Sequence, residues 1–185
     1  DFENIRKVLG NNFDKPAIAF PKYQFFTPDR YALKTNIVIA YNKRNFPDIK
    51  LNGGGDLCLP TLNGKEILPN EVPISEIFLW NYDSMFKTKK VISEDRARFA
   101  RAWHRYFGDW GKGEGDDPEK AFDTWFEMVQ GRYKNHKKLM PIDNHPKYIK
   151  NKIESINKEQ FGFNAFGLKE KMHQKRLLRF KDLLR

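Results

Sequence analysis

Four histidines, His104, His136, His145 and His173, and one cysteine, Cys58, are the residues best suited to hold a metal or act as a nucleophile. No H-E-x-x-H or paired-cysteine spacing links them, so the zinc patterns that gather ligands on one helix face or knuckle are missing. Asp143-Asn144-His145-Pro146 is the one stretch that resembles a fragment of a metal-dependent nuclease. It has no recognisable second histidine or glycine turn, and reads better as the turn that launches a helix at Pro146. Cys58 lies in an apolar run away from any histidine in sequence, which suits a small buried hydrophobe. The glycine-rich segment 108–117 lacks the G-x-x-x-x-G-K-[ST] spacing of a phosphate loop, and its carboxylates would repel a phosphate. Asp116, Asp117 and Glu119 lack the aligned oxygens of a calcium loop and fit helix capping instead. No catalytic residue, metal site or cofactor is therefore expected, and the chain reads as a non-enzyme.

The stronger chemical signal is cationic. Residues 128–185 hold 15 Lys or Arg against 5 Asp or Glu, a net of +10, whereas residues 1–127 hold 19 of each. So one-sided a distribution repels itself and is relieved by phosphates, lipid headgroups or an acidic protein face. The candidate anion or nucleic-acid contacts are Arg132, Lys134, Lys137, Lys138, Lys147, Lys150, Lys152, Lys171, Lys175 and Arg176, with Tyr133 or Tyr148 beside them for stacking on bases. Arg98, Arg101 and Arg105 form a further stripe at helical spacing that could chelate an anionic surface. The bland alternatives are a solvated lysine face and pairing of the arginines with the acidic segment Asp109 to Glu127.

Helices must carry most of these side chains. A helix is expected from Ser93, capped there, with Phe99, Trp103, Tyr106 and Phe107 as its apolar face and Gly108 as its stop. A second begins at Asp117-Pro118 and buries Ala121, Phe122, Trp125, Phe126 and Val129. A third starts at Pro146 with Ile149, Ile153 and Ile156 inward, and a fourth runs from Leu168 to the end. Before residue 92, seven prolines and Gly53-Gly54-Gly55 leave room only for short segments. There Thr35 to Tyr41 reads as a strand, Leu57 to Leu68 as a hairpin about Asn63-Gly64, and Ser75 to Phe86 leans to helix. The expected fold class is α+β and mainly helical: an irregular N-terminal half with a β-hairpin over 1–92, and three to four amphipathic helices forming a basic region over 93–185. One compact domain with a C-terminal helical extension is the simplest organisation.

Apolar residues at 39% and 27 aromatics in 185 residues exclude a disordered chain, and no window approaches the roughly 18 apolar residues of a membrane span. A single cysteine excludes an internal disulfide framework and favours an intracellular setting, mitochondrial or other organellar as well as cytoplasmic. The first residue, Asp1, suggests a processed or truncated start. The expected function is a non-catalytic accessory or structural subunit that docks through its basic C-terminal helices into a larger assembly of protein subunits, with RNA or another anionic surface as a further partner. The alternatives are a free-standing nucleic-acid-binding protein and, behind it, a metal-dependent nuclease acting through Asp143 and His145.

Overall fold

The computed structural model of the chain describes residues 2–51, 59–108 and 115–171. Cys58, the glycines at 53–55, most of the acidic glycine loop and the part of the expected fourth helix beyond Lys171, with Lys175 and Arg176, lie outside the described residues. In chain order the elements are α1 (Phe2–Asn11), β1 (Ala17–Thr27), β2 (Arg30–Tyr41), β3 (Thr61–Leu62), β4 (Lys65–Glu66), β5 (Leu79–Asn81), α2 (Lys89–Phe107), α3 (Pro118–Tyr133), β6 (Lys138–Leu139), α4 (Lys147–Glu154) and α5 (Phe161–Asn164).

This corrects the mainly helical expectation, because strands β1 and β2, 11 and 12 residues long, organise the N-terminal half around a sheet of order β5-β1-β2-β6. Pro21 interrupts the sequence pattern of β1 without interrupting the strand. On its β5 side the chain bonds at Ala19, which exchanges hydrogen bonds with Pro73 and Ser75, and then pairs at Lys22 with Leu79, so the residue without an N–H falls between two pairings. Thr27-Pro28-Asp29 makes the tight connection between β1 and β2, with the proline ring fixing φ at the turn. Ser75 to Phe86 is likewise corrected, since it forms no helix and its Leu79–Asn81 is a short strand parallel to Lys22–Gln24 between irregular turns. A ten-residue helix, α1, fits ahead of the first proline, where no long element was expected. Nor is the C-terminal half purely helical, since β6 pairs antiparallel with Arg30 and Tyr31.

The chain divides into two compact units, residues 1–24 with 33–81, and residues 25–32 with residue 82 onward. In the first, Ala17, Ala19, Val38, Ile49, Ile67 and Val72 form the core. Asn63 and Gly64 adopt φ of 53° and 79° between β3 and β4, the left-handed pair that an Asn-Gly hairpin turn needs. Helix α1 buries no residue, and its Phe2, Ile5 and Leu9 are exposed on one face.

In the second unit α2 and α3 pack around Phe26, Ile92, Phe122, Trp125, Val129, Tyr133, Phe161, Ala165 and Leu168. Helix α2 is capped by Thr88, whose hydroxyl accepts from Val91 N, so it starts four residues before the expected Ser93. Ser93 is buried inside it and donates to the Lys89 carbonyl at 2.9 Å. The inward face is also not the expected one: Ile92, Ala97 and Ala100 are buried, while Phe99 is exposed. Small alanines let two helices approach closely, which large rings would prevent. Helix α3 begins as its sequence indicates, with the Asp117 carboxylate accepting from Lys120 N at 3.1 Å and Pro118 in the first turn.

Gly162 in α5 seals this unit. Its N–H donates to the Met85 carbonyl at 2.8 Å, and a Cβ added there would stand 2.6 Å from that same oxygen. Gly162→Ala must therefore push backbone from backbone, and an expected loss of about 1–3 kcal/mol in urea-unfolding stability follows. An unchanged midpoint would show that the Met85 segment yields freely.

Candidate anion-binding interface

The arginine stripe does not form an open clamp. Arg98 pairs with Asp95 one turn earlier on its own helix, and Arg101 donates to the Gly115 carbonyl, so two of the three guanidinium groups are engaged within the chain. Arg105 is exposed. Of these partners Asp95 lies outside the acidic segment Asp109 to Glu127 that sequence suggests, whereas Gly115 lies within it, and a further ion pair joins α2 to α3 through Lys89 and Glu119 at 2.8 Å. Asp95 is held below the ordinary carboxylate range by Lys87 first, against some burial, with Arg98 adding to it.

The cations between α3 and α4 are placed differently. The connecting segment is pinned by buried side chains, His136, Met140 and His145, and continues into Ile149 and Ile153 on the inner face of α4. The residues between these pins turn outward. Arg132, Lys134, Lys137, Lys138, Lys147 and Lys152 are all exposed, and among the described residues none of them pairs with a carboxylate. Lys150 is partly covered and lies 3.8 Å from the fully exposed Asp143. Lys171 is exposed in the last described turn. Strand β6 adds a tertiary partner to the group, because Arg30 pairs across to Leu139, and Met140 N donates to the Asp29 carbonyl at 2.9 Å.

Two polar links, one at a buried histidine and one at a half-exposed ion pair, hold this part of the chain to the β1–β2 turn. His145, 3% exposed, has Nε2 at 2.8 Å from the Pro28 carbonyl oxygen and Nδ1 at 2.8 Å from the Tyr82 hydroxyl. A neutral ring satisfies both, with Nε2–H donating to Pro28 and Nδ1 accepting from Tyr82. Burial pushes the His145 pKa down; the Pro28 bond opposes this, and the Lys150 charge adds to it. Burial likewise raises the Tyr82 phenol, and Tyr148 raises it further. In the second link Lys169 reaches Asp29 at 3.1 Å. Burial works against the Asp29 charge, yet Thr27 and Lys169 outweigh it and leave the carboxyl below its usual range.

Around His145 lies an aromatic cluster that the sequence does not announce. Buried Phe25 has its ring 4.9 Å from Tyr82, 5.1 Å from His145 and 6.1 Å from Tyr31, and the Lys138 ammonium sits 6.0 Å over the Tyr31 ring. Tyr148, 74% exposed, stands on the outer face of α4. Of the two tyrosines that sequence offers for stacking, Tyr133 is buried beside His136 in the core and only Tyr148 presents its ring. Tyr31, Tyr82 and Arg30 carry no local signal, since they join the cations only through strand pairing and the His145 bond.

Asp143 and His145 do not make a metal site as placed. Both imidazole nitrogens are occupied, while the Asp143 carboxylate is 99% exposed and leans toward Lys150. Among the described residues no group of three His, Cys, Asp or Glu is arranged to hold a metal, and no helix is long and apolar enough to cross a membrane. Comparison with known proteins gives no matching family model, no matching curated protein and no matching solved structure.

Proposed function

We propose that this protein is a non-catalytic binding module that docks, through the exposed cations of residues 132–152, onto an anionic partner within a larger assembly. The observation that carries the reading is the set of six exposed cations on one pinned segment that, among the described residues, pair with no carboxylate. Charges left uncompensated in this way raise the local anion concentration and favour association over intramolecular pairing. Protein company is supported separately by α1, which buries none of its own side chains and leaves Phe2 81% exposed with Ile5 and Leu9 beside it.

The test is retention on immobilised heparin as salt is raised. Reversing Lys134, Lys137 and Lys138 to Glu should lower the salt slope by about one unit for each contacting cation removed. A control triple reversal at Arg6, Lys7 and Lys65 changes net charge equally but should leave the slope near that of the unaltered chain. Equal losses from both triples would mean that net charge alone drives retention, and the docking surface would be lost as a concept.

A further inference from the structure

Resting on that docking reading, we infer that the anionic partner is single-stranded nucleic acid, bound with a base stacked on Tyr148 and the adjoining phosphates held by lysines of α4 and β6. The reason lies in what surrounds the Tyr148 ring. It is the most exposed tyrosine recorded at the interface, and it rises from a helix whose inner face, Ile149 and Ile153, is fixed in the core. The ring is therefore presented by a rigid support. Lys147 precedes it and Lys152 follows at i+4, one turn along the same side of α4. Exposed cations close in sequence to an exposed aromatic ring suit a nucleotide chain, in which each base is flanked by two phosphates.

The neighbouring ring strengthens the case. Tyr31 is half-buried against Phe25, so its plane is held, and Lys138 lies over it. Tyr82 is bonded to His145 at 2.8 Å and stacked on Phe25, which fixes a second phenol in this cluster. An acidic protein face would pair with the lysines, and comparison with polyglutamate is what separates it from a nucleic acid, because a tyrosine ring serves protein interfaces as well. A duplex would offer phosphates but keep its bases stacked on each other. An unpaired strand offers both π-faces and phosphates to one surface.

The experiment measures fluorescence anisotropy of a labelled single-stranded oligonucleotide, the same sequence as a duplex, and polyglutamate, all with the full chain at one salt concentration. Single strand should bind at least about tenfold more tightly than duplex, and Tyr148→Ala should weaken it by about 5- to 150-fold, the range for loss of one base–aromatic stack. Tyr148→Phe should restore most of the affinity, and Tyr148→Ala should leave heparin retention unchanged, because the ring carries no charge. Equal affinity for single strand and duplex, or indifference to Tyr148→Ala, overturns this inference while docking through the lysines stands. Polyglutamate bound as tightly as the oligonucleotide overturns it in favour of an acidic protein. Loss of all retention on heparin removes both readings together.

Discussion

Phe161→Ala is expected to cost about 3–5 kcal/mol, a large share of the roughly 5–15 kcal/mol that holds a typical domain. Phe161 is fully buried, with its ring 5.3 Å from Trp125, 5.1 Å from Phe166 and 5.9 Å from Phe26. It thus touches the first strand, the third helix and the segment after α5 at once. Neighbouring rings locked by the same contacts cannot collapse into the space, so the lost burial and the residual cavity add. The backbone is bound as well, since Phe161 N donates to the Lys87 carbonyl at 2.9 Å and keeps the substituted chain in place around the hole. Thermal unfolding followed by circular dichroism reads the effect as a fall in Tm of many degrees. A fall as small as that of a surface substitution would show that this aromatic cluster is not the core of the second unit.

His145→Ala carries the second large effect, about 2–5 kcal/mol, for a different reason. The substitution strands the Tyr82 hydroxyl and the Pro28 carbonyl together, and each buried polar group left unpaired costs about 1–3 kcal/mol. Tyr82→Phe leaves Nδ1 of the buried His145 without its partner while Nε2 keeps its bond to Pro28, one unpaired group rather than two, and should cost about 1–3 kcal/mol. The same histidine gives a pH signature. Its folded pKa is depressed by burial, so the unfolded chain takes up a proton near pH 6.5 before the folded chain does. Stability is therefore complete above about pH 6.5 and falls as pH drops from there toward the depressed folded value, by at most about 1.4 kcal/mol per unit. Asp29 and Asp95, also depressed, lose their contributions only lower, below the unfolded carboxyl value near pH 4. Urea midpoints between pH 5 and 7.5 separate the two windows: the slope in that range should be shallower in His145→Ala. A slope unchanged by the substitution would assign it to another group. Because His145 pins the lysine-bearing segment to the β1–β2 turn, the variant should also bind polyanions less tightly even well below its Tm.

The reach of the sequence is best judged from particular residues. Asp117-Pro118 and Asn63-Gly64 stand where they were read, because a cap needs only a side-chain oxygen near its own N3 amide and an I′ turn needs only two residues that tolerate positive φ. Ile149 and Ile153 are likewise buried at the spacing that marked them. The misreadings have physical causes too. Pro21 counted as a breaker, yet whether a missing N–H matters depends on what lies beside the strand, and there the β5 side happens to skip that residue. Phe99 counted as inward, but the helix facing α2 selected Ala97 and Ala100 for close approach. Arg98 and Arg101 looked available for an anion until Asp95 and the Gly115 carbonyl engaged them.

By itself, then, the amino-acid order determined the caps, the Asn-Gly turn, the periodic apolar face of α4 and the concentration of positive charge after residue 128. Each is settled within a turn or two of chain, where interaction energies depend on near neighbours. Tertiary structure alone decided that Tyr133 is buried while Tyr148 is exposed, and that β6 closes on Arg30 and Tyr31. It also brought together Tyr82, His145 and Pro28, which are 63 and 117 residues apart along the chain. Such pairings form only when the whole fold repays the loop-closure entropy of bringing them together, so no local pattern announces them.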